Sequence, residues 1–125
     1  MATQEEIETI EINGKKFVAL DSLQDKAESV DGMKYCIIRT QSAGVFAGYV
    51  QSRTGQEVVI RRARRLWYWS GAASLSQLAV DGTKKPGECK FPAEVDRIEV
   101  MQAIEILDVT KKAQDSIASV KVWQQ

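Results

Sequence analysis

Histidine is absent from this chain of 125 residues. Its absence removes the commonest general base, the commonest metal ligand and every Ser-His or Cys-His nucleophile pair. Cysteine is scarce. Cys36 sits in an apolar run and reads as a small buried hydrophobe, whereas Cys89 falls in a loop between Pro86 and Pro92. Two cysteines so far apart make neither a disulfide framework nor a zinc motif. No Gly-x-Ser-x-Gly elbow, Ser-x-x-Lys pair or Walker-type glycine loop occurs. Glu99 and Glu105 fall on expected strands without a companion motif and read as solvated strand faces. No apolar run approaches the roughly 18 residues of a membrane span, and no signal-peptide core is present. The expectation is a soluble, cytoplasmic, non-enzymatic protein with no membrane partner and no resident cofactor or metal.

An excess of either charge is also missing, with 17 basic and 17 acidic side chains. A general nucleic-acid coat protein needs positive excess, so nucleic acid is not the expected partner, although a local basic patch remains open. The charges are segregated. Acidic residues crowd the amino terminus (Glu5, Glu6, Glu8, Glu11) and the region after Glu94, and arginines crowd 61–65.

Length and composition fit one domain over residues 1–125, with a loose polar start at 1–6. Hydrophobic residues make up 44% of the chain, which is ordinary for a globular protein able to build a core without staples. Asn13-Gly14 between apolar-bearing runs is a strong hairpin signal, predicting strands near 7–12 and 16–20. Residues 21–32 read as a polar loop with at most one helical turn. MKYCIIRTQ (33–41) and VFAGYVQ (45–51) read as two strands, and Gly48 marks a bulge or a close backbone approach. A fifth strand begins at Glu57 and extends through RRARRLWYW to Trp69, long enough that it must bend or divide.

A helix follows. Ser70 or Ser74 can cap it, and Ser74-Leu75-Ser76-Gln77 has capping-box spacing. Leu75, Leu78 and Ala79 share one face, and Gly82 suits the stop. Residues 83–94 read as a loop. RIEVM (97–101) and AIEILDV (103–109) read as two strands, or as one strand with a bulge near Gln102. Thr110 caps a short second helix over KKAQDSIAS, although Lys111 and Lys112 oppose the helix dipole unless a negative partner lies there. Val120, Val122 and Trp123 read as a closing strand. The expected fold is α+β: a single domain, mainly an antiparallel β-sheet, with two short helices.

The densest stretch is RRARRLWYWSGAASLSQLAVDG, residues 61–82. Strict alternation puts Arg61, Ala63, Arg65, Trp67 and Trp69 on one face, and Arg62, Arg64, Leu66 and Tyr68 on the other. Guanidinium forks suit phosphate, and rings stack on nucleobases. Ser70, Gly71 and Ser74 lead into a helix start, where amide groups favour an anion. Arg61, Arg62, Arg64, Arg65, Trp67, Trp69, Ser70, Gly71 and Ser74 are therefore the candidate ligand-binding residues. A plainer reading stands beside this one: the rings form core or subunit interface, and the arginines pair with Glu94, Asp96, Glu99 or Glu105.

The runs YCIIRTQSAGVFAGYV (35–50), ARRLWYWSGAASLSQLAVDGTKKP (63–86) and CKFP (89–92) resemble small proteins encoded by tailed phages and prophages. The likeness spans roughly residues 33–123, and its most specific part is the WYW-x-GAASLSQLA block. In size and β-rich character the chain is also similar to Thoeris anti-defence sponges, which bind cyclic ADP-ribose-type signals, and in some cases cyclic oligonucleotides, without cleaving them. The resemblance implies a homo-oligomeric binder of a small nucleotide signal. The alternatives are a virion or assembly protein that uses the Arg/Trp block as an interface, or a nucleic-acid binder.

Overall fold

A computed structural model describes residues 9–12, 15–18 and 25–125. Strands β1 (Thr9–Ile12) and β2 (Lys15–Val18) pair antiparallel, from Thr9 opposite Val18 to Ile12 opposite Lys15. The Asn13-Gly14 turn, and the ends of both expected strands at 7–8 and 19–20, lie outside the described residues. Among residues 25–32 no helical turn forms.

The main sheet has five antiparallel strands in the order β6-β5-β4-β3-β7. They are β3 (Lys34–Thr40), β4 (Val45–Thr54), β5 (Glu57–Arg65), β6 (Val95–Val100) and β7 (Ala103–Asp108). The β-branched and aromatic runs form β3 and β4, as their composition predicts. The two segments around Gln102 are separate strands on opposite edges of the sheet.

That topology forces curvature. Three Cα steps separate Val100 from Ala103 and reach at most about 11 Å. The edges of a flat five-stranded sheet stand about 19 Å apart. The sheet therefore curls, and bonds from the Gln41 amide to the Gln102 carbonyl (2.9 Å) and from the Ala103 amide to the Gln56 carbonyl (3.0 Å) draw its ends together. One buried cluster belongs to this curl: Cys36, Ile38, Phe46, Val58, Ile60, Ala63, Val100 and Ala103.

A second cluster joins Ile37, Ala47 and Leu66 of the sheet region to two helices. Helix α1 (Leu75–Asp81) contributes Leu78 and Ala79, and α2 (Lys111–Ser119) contributes Ala113 and Ile117. Both helices begin as their sequences predict. Ser74 accepts from the Gln77 amide, and Thr110 accepts from the Ala113 amide. The misplaced charge at the start of α2 has partners: Lys111 pairs with Asp115 at 2.6 Å, and Lys112 approaches Asp81 at 3.8 Å. The expected closing strand is reduced to one parallel bridge between Phe91 and Val122, and the 83–94 loop contains a short 3-10 turn at Pro86–Glu88.

Candidate functional site

The arginine block does not keep strict alternation. Opposite Gly48 of β4, β5 carries an extra residue: Tyr49 faces Arg61, but Ala47 faces Arg64. This is a β-bulge, and Arg62 within it adopts φ +52°. Gly48 makes room for it. A Cβ there would stand 2.6 Å from Ile60 Cγ2 and 3.0 Å from the Arg61 carbonyl oxygen. Both expectations for Gly48 therefore hold, with the bulge on the neighbouring strand. The strand ends at Arg65, not Trp69. Leu66 makes one further bond to the Val45 carbonyl, and Tyr68 forms an isolated bridge with Lys90.

The bulge separates the four arginines. Arg61 donates to Asp96 and Gln51. Arg65 lies over the Phe46 ring, 4.4 Å from its centroid, and donates to the Ala43 carbonyl. The expected face shared by Arg61 and Arg65 does not exist, because the extra residue reverses the parity between them. Arg62 and Arg64 do line one cleft, but their roles differ. Arg64 is only 7% exposed. It donates to the carbonyls of Pro92, Ile117, Phe91 and Val120 at 2.7–3.1 Å. Burial lowers its pKa from the usual arginine value. Its guanidinium is a structural tie between β5, the end of α2 and the tail.

Arg62 stands at the cleft mouth, 5.4 Å from the centroid of the Tyr49 ring. Its nearest anion is Glu94 at 3.6 Å, an ion pair too long for a hydrogen bond. Left-handed backbone at a non-glycine residue costs of order 1–3 kcal/mol and persists where surrounding structure over-determines it. Here the left-handed residue of the bulge is Arg62, whose guanidinium makes no hydrogen bond among the described residues.

The cleft has a volume of about 390 Å³. Tyr35 and Tyr49, paired across β3 and β4, meet edge to face at 5.1 Å. Gln114 of α2 is buried behind them. Its side chain donates to the Tyr49 hydroxyl at 3.2 Å and is held by both main-chain groups of Glu28. Burial raises the Tyr35 hydroxyl far above its ordinary pKa, so it stays protonated. Ile117, Ala118, Val120 and Val122 supply an apolar wall. Tyr35, Tyr49, Gln114 and this wall are not among the residues that the sequence points to. The one available signal was the Tyr35–Tyr49 register of the β3–β4 hairpin.

The other candidate residues lie elsewhere or are already engaged. Trp69 is half-buried against the helix-side core. Trp67 is 58% exposed and stacks on Trp123, with centroids 5.1 Å apart and planes 7° apart. The Ser70 hydroxyl contacts Glu88, and its carbonyl accepts from Thr83 and from the Cys89 thiol. At Gly71, with φ +85°, a Cβ would meet the Lys85 amide nitrogen at 2.5 Å. The Ser74 hydroxyl caps α1, while Gln77 accepts from the Ala73 amide. The start of α1 is thus capped by its own Ser74 and Gln77 side chains, and none of Ser70, Gly71 and Ser74 lines the cleft. Among the described residues no three His, Cys, Asp or Glu side chains form a metal-sized cluster. No described helix is long and apolar enough to cross a membrane.

The fold and site define a mainly β α+β protein whose curled sheet meets a helix across a small polar-and-apolar cleft. Residues 33–117 match the family described as a domain of unknown function, DUF6948, and the chain belongs to that family. No curated protein and no solved structure matches the chain.

Proposed function

We propose that this protein is a non-enzymatic binder that sequesters a small nucleotide in the Arg62 cleft. The observation that carries the reading is the Arg62 guanidinium, aimed by a strained bulge into a cleft of about 390 Å³ and free of hydrogen bonds among the described residues. Pockets for small ligands combine such a volume with an apolar wall and a few convergent polar groups. A phosphate suits Arg62, a base suits the tyrosine and valine surfaces, and the Glu94 carboxylate accepts from ribose hydroxyls or an exocyclic amine. Likeness to small phage proteins and to Thoeris sponges extends the proposal to a phage-encoded, cytoplasmic homo-oligomer that withholds a cyclic nucleotide signal from host defence.

Calorimetry with linear and cyclic nucleotides and cyclic ADP-ribose isomers tests it, alongside mass spectrometry of heat-released small molecules. Saturable binding, weakened tenfold or more in Arg62→Ala and retained in Arg65→Ala, is expected, because charge-assisted bonds to phosphate are worth about 1.5–3 kcal/mol. The absence of heat with every ligand, together with no recovered small molecule, refutes the reading. Light scattering tests the homo-oligomer.

A further inference from the structure

The tail that supplies Val122 to the cleft also supplies Trp123 to a second surface with different chemistry. Trp67 stacks on Trp123, and more than half of Trp67 remains open to solvent. Tyr68 is also exposed. The Lys90 ammonium stands 5.6 Å from the Trp67 ring, 5.9 Å from Tyr68 and 5.7 Å from Trp123. Three structural bonds hold the platform together. Tyr68 and Lys90 exchange main-chain hydrogen bonds, and the Trp123 amide donates to Phe91.

Cations outnumber anions on the two segments that supply this surface, with Glu88 the one acidic residue among positions 84–90 and 121–125. Lys84, Lys85 and Lys90 lie on the segment that supplies Lys90, and Lys121 lies on the tail that supplies Trp123. All four are exposed, and among the described residues none makes an ion pair. Elsewhere Lys34, Arg39, Arg61, Arg62, Lys111 and Lys112 have acidic partners, whereas Lys26, Arg53, Arg65 and Arg97 also make no ion pair among the described residues. The zero net charge of the chain thus conceals four lysines against one glutamate on the two segments that supply Lys90 and Trp123, with Lys90 itself beside the open rings. Rings that stack any base, flanked by cations that meet phosphates, are what single strands require.

We propose that this surface binds single-stranded nucleic acid, with a base on Trp67 and the neighbouring phosphates on Lys90 and the lysines of the same two segments. It is independent of the Arg62 cleft, and either site can fail without the other. Three to four phosphate contacts give single strands a salt slope of about −2 to −3, which weakens binding roughly 20- to 50-fold between about 50 and about 200 mM salt.

Titration of the full chain with short oligothymidylate, followed by tryptophan fluorescence, tests the proposal. Quenching with that salt dependence is expected. Trp67→Ala should weaken binding about 5- to 150-fold, the range for one stacked base. Trp67→Phe should restore part of it, and Lys90→Gln, which keeps the stack, should flatten the salt slope by about 0.7. Arg62→Ala should leave oligonucleotide binding unchanged. Circular dichroism confirms that each variant is folded. Absence of quenching at low salt overturns the proposal, as does binding unaffected by Trp67→Ala and Lys90→Gln. So does burial of Trp67 in a self-associated form that dissociates on dilution without ever binding the oligonucleotide, because a second copy then covers the patch.

Discussion

The Arg64 guanidinium donates to the Val120 carbonyl oxygen at 2.7 Å, tying β5 to the residue that ends α2. The same side chain also satisfies Phe91, Pro92 and Ile117. One residue thus caps a helix, anchors a loop and holds the tail that walls the cleft.

Arg64→Met should consequently destabilise the protein by about 3 kcal/mol or more, since a buried acceptor left without a donor costs about 1–3 kcal/mol. Arg64→Lys should recover little, because an ammonium lacks the planar fork needed to reach four carbonyls. Urea denaturation reads both changes as a lower midpoint. An unchanged midpoint in Arg64→Met would show that the tie contributes nothing to stability.

Gly48→Ala places a methyl against Ile60 and the bulged main chain at 2.6–3.1 Å. Overpacking of this kind costs about 1–3 kcal/mol. The backbone rather than a flexible chain end provides part of the clash, so relaxation must move the bulge that aims Arg62. Thermal unfolding should show the loss of stability, and any ligand bound at Arg62 should weaken in parallel.

Alkaline pH should destabilise the fold through Tyr35. Burial raises its hydroxyl pKa above the unfolded value of about 10. The contribution is complete below that unfolded value. Above it the unfolded chain binds fewer protons than the folded one, so stability falls by up to about 1.4 kcal/mol per pH unit for this group. Burial raises the Cys36 thiol too, which extends the decline to lower pH. Urea midpoints measured from about pH 8 to pH 11 should fall more gently in Tyr35→Phe. Identical slopes in the two proteins would remove Tyr35 as the cause.

Both cysteines should resist modification in the native state. Cys36 is 3% and Cys89 8% exposed, and the Cys89 thiol points at the Ser70, Thr83 and Lys85 oxygens. A thiol-disulfide reagent should react at the rate of local or global opening, and fast in urea. Immediate reaction of one thiol in native buffer would contradict its placement.

Much of the fold was legible locally. The Ser74 and Thr110 caps and the β3 and β4 compositions depend on residues a few positions apart, and Gly48 stands out simply as a glycine inside a strand. The 57–69 run is visibly too long for one strand, but nothing local marks its end at Arg65. That boundary depends on Val45 and Lys90, which residues 66–68 meet only after the chain has folded. Similarly, the AIEILDV run identified a strand without showing that it lies at the sheet edge opposite RIEVM.

Within the arginine block, the sequence by itself determined the supply of guanidinium groups, rings and turn residues. Tertiary structure decided their use. A single extra residue beside Gly48 changed the parity of the strand, because side chains alternate with period two and one insertion reverses every face after it. It buried Arg64 among carbonyls, sent Arg65 to Phe46, and left Arg62 at a cleft whose other walls come from residues far away in the chain.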